Sequence, residues 1–228
     1  MSSDKPAFEK SGDARKNILA RIRKAQGRSA AAAPHELSAA QTYVNARQRG
    51  PMPPVTGLLA CFRAQAAAML STVDEVAQMT DVPSAAASYL QSNGLPASGC
   101  VWPALSHLEW KAAGFVLEAR AAKDEDAVGI TGAFAAIAET GTLMLLSGPG
   151  TPSSASLLPE THIAVVPVRR IVAHMEDAWA LLRAESGTPP RAVNFISGPS
   201  RTADIEQTMI IGAHGPYRVH VILVMDSV

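Results

Sequence analysis

With 228 residues and 47% hydrophobic side chains, the chain can bury one substantial core, so one main domain with a small appendage is expected. Its 20 basic and 20 acidic residues cancel. That balance excludes the positive field needed to hold a nucleic-acid backbone, and no apolar run is long enough to span a bilayer.

Basic charge gathers first near the start, where Arg15, Lys16, Arg21, Arg23, Lys24 and Arg28 surround Ile18, Leu19 and Ile22 in the pattern of an amphipathic helix. Such a face is ordinarily solvated; docking to an acidic partner and a membrane-surface or targeting role are the alternatives. Asp4, Glu9 and Asp13 argue against a transit peptide, and no continuous apolar stretch resembles a secretory signal. A cytoplasmic protein is expected. The alanine run between Ser29 and Pro34 reads as a connector to a second helix, and Arg49-Gly50-Pro51-Met52-Pro53-Pro54 cannot continue one. Residues 1–54 are therefore expected to form a helical arm and linker, of the kind that packs on a neighbouring subunit, and a homodimer is one arrangement it would suit.

The spacing of Phe62, Ala66, Met69, Leu70, Val73 and Val76 predicts a helix over Leu58 to Ala77, and a second is predicted over Ser84 to Asn93, closed by Gly94 and Pro96. Strands are predicted at Cys100 to Trp102, Phe115 to Ala119, Thr142 to Ser147, His162 to Val166, Ala192 to Ser197 and Tyr217 to Met225, with a helical pattern at Met175, Ala178, Trp179 and Leu182. Runs such as Leu143-Met144-Leu145-Leu146 and Ile163-Ala164-Val165-Val166 are apolar throughout, as in sheets covered on both faces. Alternating strands and helices then predict a three-layer α/β domain with a mostly parallel sheet over residues 55–228.

Only Cys61 and Cys100 are present, and they read as buried free thiols. Two thiols cannot supply the four ligands that an iron–sulfur cluster normally takes. The six histidines are scattered without a His-Glu-x-x-His pair, so no intrinsic metal is expected. The loop from Ser147 to Ser156 lacks the lysine of a P-loop and the Gly-x-Gly-x-x-Gly fingerprint, which leaves ATP and NAD unsupported. Its backbone could receive an anion, or it is an ordinary crossover.

Three clusters beside strands carry the candidate chemistry. In Ala138-Glu139-Thr140-Gly141-Thr142, small residues deliver one carboxylate directly ahead of a strand. Desolvation there would raise the Glu139 pKa and suit acid–base work; hydrogen bonding to a ligand and a structural role in the turn are the alternatives. In Ser197-Gly198-Pro199-Ser200-Arg201-Thr202-Ala203-Asp204-Ile205-Glu206, Arg201 can grip a carboxylate or phosphate with two parallel hydrogen bonds, helped by the hydroxyls of Ser197, Ser200 and Thr202. A local pair of Arg201 with Asp204 or Glu206 would merely lock the turn, and Asp204 could equally cap a helix. In His214-Gly215-Pro216, the imidazole titrates in the range suited to proton transfer, unless it is a hydrogen-bonded structural group. A Ser200, Asp204, His214 hydrolase triad is disfavoured because Gly-x-Ser-x-Gly is missing.

Together these clusters resemble the LUD domain family, from roughly Leu95 to Val228. The resemblance implies a fold of the ribose-phosphate isomerase, glucosamine-phosphate deaminase and CoA-transferase type, in which a glutamate can act as nucleophile, the role it would lend to Glu139. It also implies participation in oxidising L-lactate to pyruvate beside iron–sulfur proteins, with the clusters on those partners and no cofactor intrinsic to this chain. The alternatives are a stand-alone enzyme or a ligand sensor acting on a carboxylate, sugar phosphate or acyl-CoA. The expected site comprises Glu139 and His214 as catalytic groups, with Thr140, Gly141, Thr142, Ser197, Gly198, Ser200, Arg201, Thr202, Asp204, Glu206 and Gly215 binding the ligand.

Overall fold

The computed structural model describes residues 8–27, 32–203 and 209–225. These fall into two compact units, one ending at Pro51 and the other beginning at Met52. The first holds two helices, α1 (Phe8–Ala25) and α2 (Pro34–Ala46). Pro34 opens α2, where a missing N–H does no harm, and the Glu36 carboxylate accepts from the Ala33 nitrogen at 2.9 Å. Among the described residues, no helix is long and apolar enough to cross a membrane.

The second unit begins with α3 (Leu58–Ala68), which buries Phe62 and Ala66. The predicted helix to Ala77 is here corrected. Leu70 turns into the left-handed region at φ 67°, the Ser71 nitrogen closes back on the Ala66 carbonyl, and the chain leaves as strand β1 (Thr72–Val76). Val73 and Val76 fit a helical spacing by coincidence, while the β-branched Thr72-Val73 pair favours the strand. Helix α4 (Val82–Ser92) follows, burying Val82, Pro83, Ala86 and Leu90.

Strands β2 (Ser98–Val101), β3 (Val116–Ala119) and β4 (Val128–Gly132) come next. They are followed by β5 (Ala135–Ile137), β6 (Thr142–Leu146), β7 (Thr161–Pro167), β8 (Ile171–Val172), helix α5 (Met175–Ser186) and β9 (Val193–Ile196). The chain continues through β10 (Arg201–Ala203), β11 (Met209–Ile211) and β12 (Arg218–Val224). Six strands form one sheet in the order β1-β12-β7-β4-β2-β3. Every pairing in it is parallel. The mostly parallel α/β architecture expected from the alternation of elements is present.

A second, mixed sheet in the order β8-β5-β6-β9 lies over one face of the first, and the sequence reading did not separate the two. Ala136, Ala138, Leu143 and Leu145 of this sheet share a core with Phe62 and Ala66 of α3 and with Ala164, Val166, Val221 and Leu223 of the parallel sheet. The opposite face of the parallel sheet packs Ile130, Ile163, Val165 and Ile222 under Val82, Ala86 and Leu90 of α4. The outer face of the mixed sheet buries Ala135, Ile137 and Met144 beneath Ala178 and Leu182 of α5. Leu143-Met144-Leu145-Leu146 is thus covered on both faces, but in the mixed sheet.

Topology also fixes a special place on the parallel sheet. After β2 the chain moves outward to β3, whereas after β4 it moves the opposite way, to β7 and then β12. The carboxyl ends of the adjacent strands β2 and β4 therefore flank a topological switch point, where connections leave in opposite directions and open a crevice.

Candidate functional site

Glu139 and Thr140 form the tip of the hairpin between β5 and β6, and Gly141 completes the turn at φ 64°. A β-carbon on Gly141 would overlap the Ala66 backbone nitrogen, so glycine is what lets the hairpin press against the last turn of α3. Gly198 does the same a turn later: at φ 74° a β-carbon there would overlap the Met69 carbonyl oxygen. Two of the predicted clusters therefore meet the same end of one helix.

They also meet each other. Antiparallel pairing of β6 with β9 sets Leu143 opposite Ile196 and brings the next residues, Thr142 and Ser197, together. Thr142 Oγ1 lies 2.6 Å from Ser197 Oγ and 2.7 Å from Thr140 Oγ1, a continuous row of three hydroxyls. Arg201, exposed at the start of β10, places Nη2 3.3 Å from Met69 Sδ. Among the described residues it has no carboxylate within ion-pair distance. Asp204 and Glu206, its sequence-predicted partners, lie outside the described residues, as does the proposed cap at Asp204.

The third cluster joins the second through Ser200. The Ser200 nitrogen donates to the Pro216 carbonyl at 2.9 Å, the Gly212 nitrogen donates to the Ser200 carbonyl at 2.8 Å, and Gly215 packs on the Ser200 side chain. Thr202 sits in the β10–β11 hairpin, paired with Ile210. His214 is exposed and lines a separate cavity with Leu157, Leu158, Glu160, Tyr217 and Arg218, in which neither Glu139 nor Arg201 takes part. Ser200 binds through its backbone there, and among the described residues no hydrogen bond joins its hydroxyl to His214.

His174, which the sequence reading passed over except as a scattered histidine, stands beside Glu139. The Glu139 nitrogen donates to the Ala173 carbonyl at 3.1 Å, and His174 Nε2 donates to the Pro53 carbonyl at 2.8 Å. That bond chiefly holds the His174 pKa above its ordinary value, with Asp177 and Glu139 adding to the effect. His174 is the N-cap of α5, and its own nitrogen donates to Asp177 Oδ2 at 3.1 Å. The Asp three residues on, at the start of the Met175-Ala178-Leu182 pattern, was the available signal. The carbonyl before Glu139 also accepts from Cys61 Sγ at 3.3 Å.

Position within the fold matters as much as proximity. Met69 stands three residues before β1, Pro216 two residues before β12, and the Arg218 nitrogen donates to the Glu160 carbonyl just before β7. The clusters from Ser197 to Thr202 and from Gly212 to Pro216 thus sit at the amino-terminal edge of the parallel sheet. Ligands of open α/β sheets ordinarily bind at the carboxyl edge. The arrangement offers an anion one exposed guanidinium next to a row of hydroxyls, with Glu139 and its neighbour His174 leading into the same hairpin.

Residues 104–224, just over half of the chain, match the LUD domain family. A protein of Exiguobacterium sp. named lactate utilization protein C is 45% identical over 102 residues, covering 43% of this chain and 44% of that protein. The Bacillus subtilis (strain 168) protein of the same name is 40% identical over 129 residues, 55% of this chain and 54% of its own. The chain thus spans about half the length of the relatives it matches. A DUF162 family protein from Deinococcus radiodurans, whose crystal structure is known at 1.70 Å, shares the fold with a TM-score of 0.57 and 22% identity, over 75% of this chain and all of that one.

Proposed function

Since the chain belongs to the LUD domain family, we propose that it serves lactate utilisation, as a non-redox subunit or accessory factor of a cytoplasmic system that oxidises L-lactate to pyruvate through iron–sulfur partner subunits. The observation that carries this reading is the likeness at 40% and 45% identity to two proteins named for lactate utilisation. The match to the LUD domain family, residues 104–224, covers the segment that builds the hydroxyl row. Electrons pass through the partners on this reading, because the chain's own donor set does not fit a cluster. Cys100 is buried and its thiol is pushed up to about 12, by burial first and by Asp126 second, which opposes the thiolate a metal requires. Cys61 is committed to the Ala138 carbonyl.

Lactate-dependent dye reduction by the reconstituted iron–sulfur partners tests the reading. The chain is expected to restore activity that the partners lack alone, and Glu139→Gln or Arg201→Ala to bind those partners yet restore less. Equal rates with and without the chain would refute the role. Full activity of both variants would confine the chain to assembly and remove the hydroxyl row from the reaction.

A further inference from the structure

The crevice at the switch point is occupied by a small slot whose residues belong to none of the three clusters. Trp102 follows β2, Gly132 ends β4 with Phe134 two residues on, and Arg170 lies just beyond β7, so the slot of about 340 Å³ opens where three parallel strands end. Its volume lies at the small end of the range for ligand sites, roughly 300–1,000 Å³. Leu105 and Leu146 complete the apolar wall, and Thr151 adds a hydroxyl.

The walls are fixed. Trp102 Nε1 donates to the Pro152 carbonyl at 3.0 Å, and the Ala104 nitrogen donates to the Gly150 carbonyl at 3.2 Å. The loop from Ser147 to Ser156, expected either to receive an anion or to be an ordinary crossover, is therefore pinned over the strand ends and contributes Thr151. Gly132 keeps the floor low: a β-carbon there would stand 3.7 Å from the Trp102 ring. The Arg170 guanidinium lies 5.3 Å from the centroid of the Phe134 ring, and Nη1 donates to Glu185 Oε1 at 2.6 Å. Glu185 thereby orients the group while taking one nitrogen, and among the described residues Nε and Nη2 meet no other acceptor. A charge-assisted pair of donors beside an aromatic wall suits a carboxylate attached to a short apolar body.

We propose that this slot binds a small monocarboxylate of the 2-hydroxy or 2-oxo acid class, its carboxylate on Arg170 and Thr151 and its methyl end against Trp102 and Phe134. The proposal rests on the lactate reading for the choice of acid and on the switch-point geometry for the place. It assigns the ligand to the carboxyl edge of the sheet and leaves the Arg201 edge to another task.

Titration of the full chain into 13C-labelled L-lactate and pyruvate, followed by NMR line broadening, tests it. Saturable binding is expected, uncompeted by the uncharged lactamide. Arg170→Met should weaken it at least about tenfold, Thr151→Val by less, and Arg201→Ala not at all. Should Arg170→Met lose its circular dichroism signature, Arg170→Lys and Thr151→Val carry the comparison. Undiminished binding by the Arg170 and Thr151 variants, loss of binding in Arg201→Ala instead, or no saturable binding of either acid to the wild-type chain would each overturn the slot. Dye reduction with the partners is read separately, so restored activity without binding would leave the subunit role standing while removing this site.

Discussion

Thr142 Oγ1 and Ser197 Oγ approach to 2.6 Å across the β6–β9 pair, and through this contact two sequence clusters more than fifty residues apart become one surface. Thr142 is buried whereas Ser197 is exposed, so the bond joins the interior of the mixed sheet to its edge. Thr142→Val keeps the shape and removes the hydroxyl, leaving Thr140 and Ser197 without their shared partner. A loss of about 1–2 kcal/mol in urea unfolding is expected. Ser197→Ala should lose less, and the double variant should fall short of the sum because both changes delete one bond.

Gly141 and Gly132 make opposite predictions although both lie in the same small-residue stretch. Gly141→Ala combines a strained left-handed φ with overlap against the α3 backbone, so about 3 kcal/mol or more of stability should be lost. Gly132→Ala meets only ordinary contact with Trp102 and should unfold within about 1 kcal/mol of wild type. Melting temperatures of the two variants decide the matter, and a harmless Gly141→Ala would mean that the hairpin does not press on α3.

Strands β7 and β12 of the parallel sheet were legible in the sequence because they are apolar on both faces, which a linear pattern records directly, whereas the central strand β4 was hidden because Gly129, Thr131 and Gly132 make it read as a small-residue stretch. Strand β1 was hidden because Val73 and Val76 continue the spacing of Phe62, Ala66 and Met69; a left-handed Leu70, invisible in composition, ends the helix. The mixed sheet was hidden for another reason, since Leu143-Met144-Leu145-Leu146 looks the same whether its neighbours run parallel or antiparallel. Glu139, Ser197 and Arg201 announced themselves through the glycines around them. Trp102, Phe134 and Arg170 did not: an apolar residue at a strand end reads as core until topology shows that connections part there.

Cys100 should resist chemical modification in the folded state. It is fully buried on β2 and its thiol is raised to about 12, so the reactive thiolate is scarce at pH 8. Iodoacetamide followed by peptide mass mapping should modify Cys61 before Cys100. Comparable labelling of both under native conditions would show that β2 opens to solvent.

Two buried histidines predict how stability depends on pH. His162 is fully enclosed, with Nε2 2.8 Å from Thr131 Oγ1 and no partner for Nδ1 among the described residues, and burial lowers its pKa to about 4. His220 is stacked on Tyr89 with centroids 3.8 Å apart, and burial likewise lowers it to about 4, opposed by Asp74. Unfolded, both would titrate near the ordinary value of about 6.5. The folded state therefore binds fewer protons between those limits. The stability tied to each ring is complete above about pH 6.5 and is lost progressively as pH falls toward 4, on the order of 3 kcal/mol per ring. His174 runs the other way: its raised pKa contributes stability that is complete below the unfolded value and fades as pH rises through the folded one. Urea unfolding at pH 7.5, 5.5 and 4.5 should show a steep decline on the acid side that His162→Gln flattens. An acid limb as steep in His162→Gln as in the wild-type chain would mean that protonation of His162 does not carry the decline.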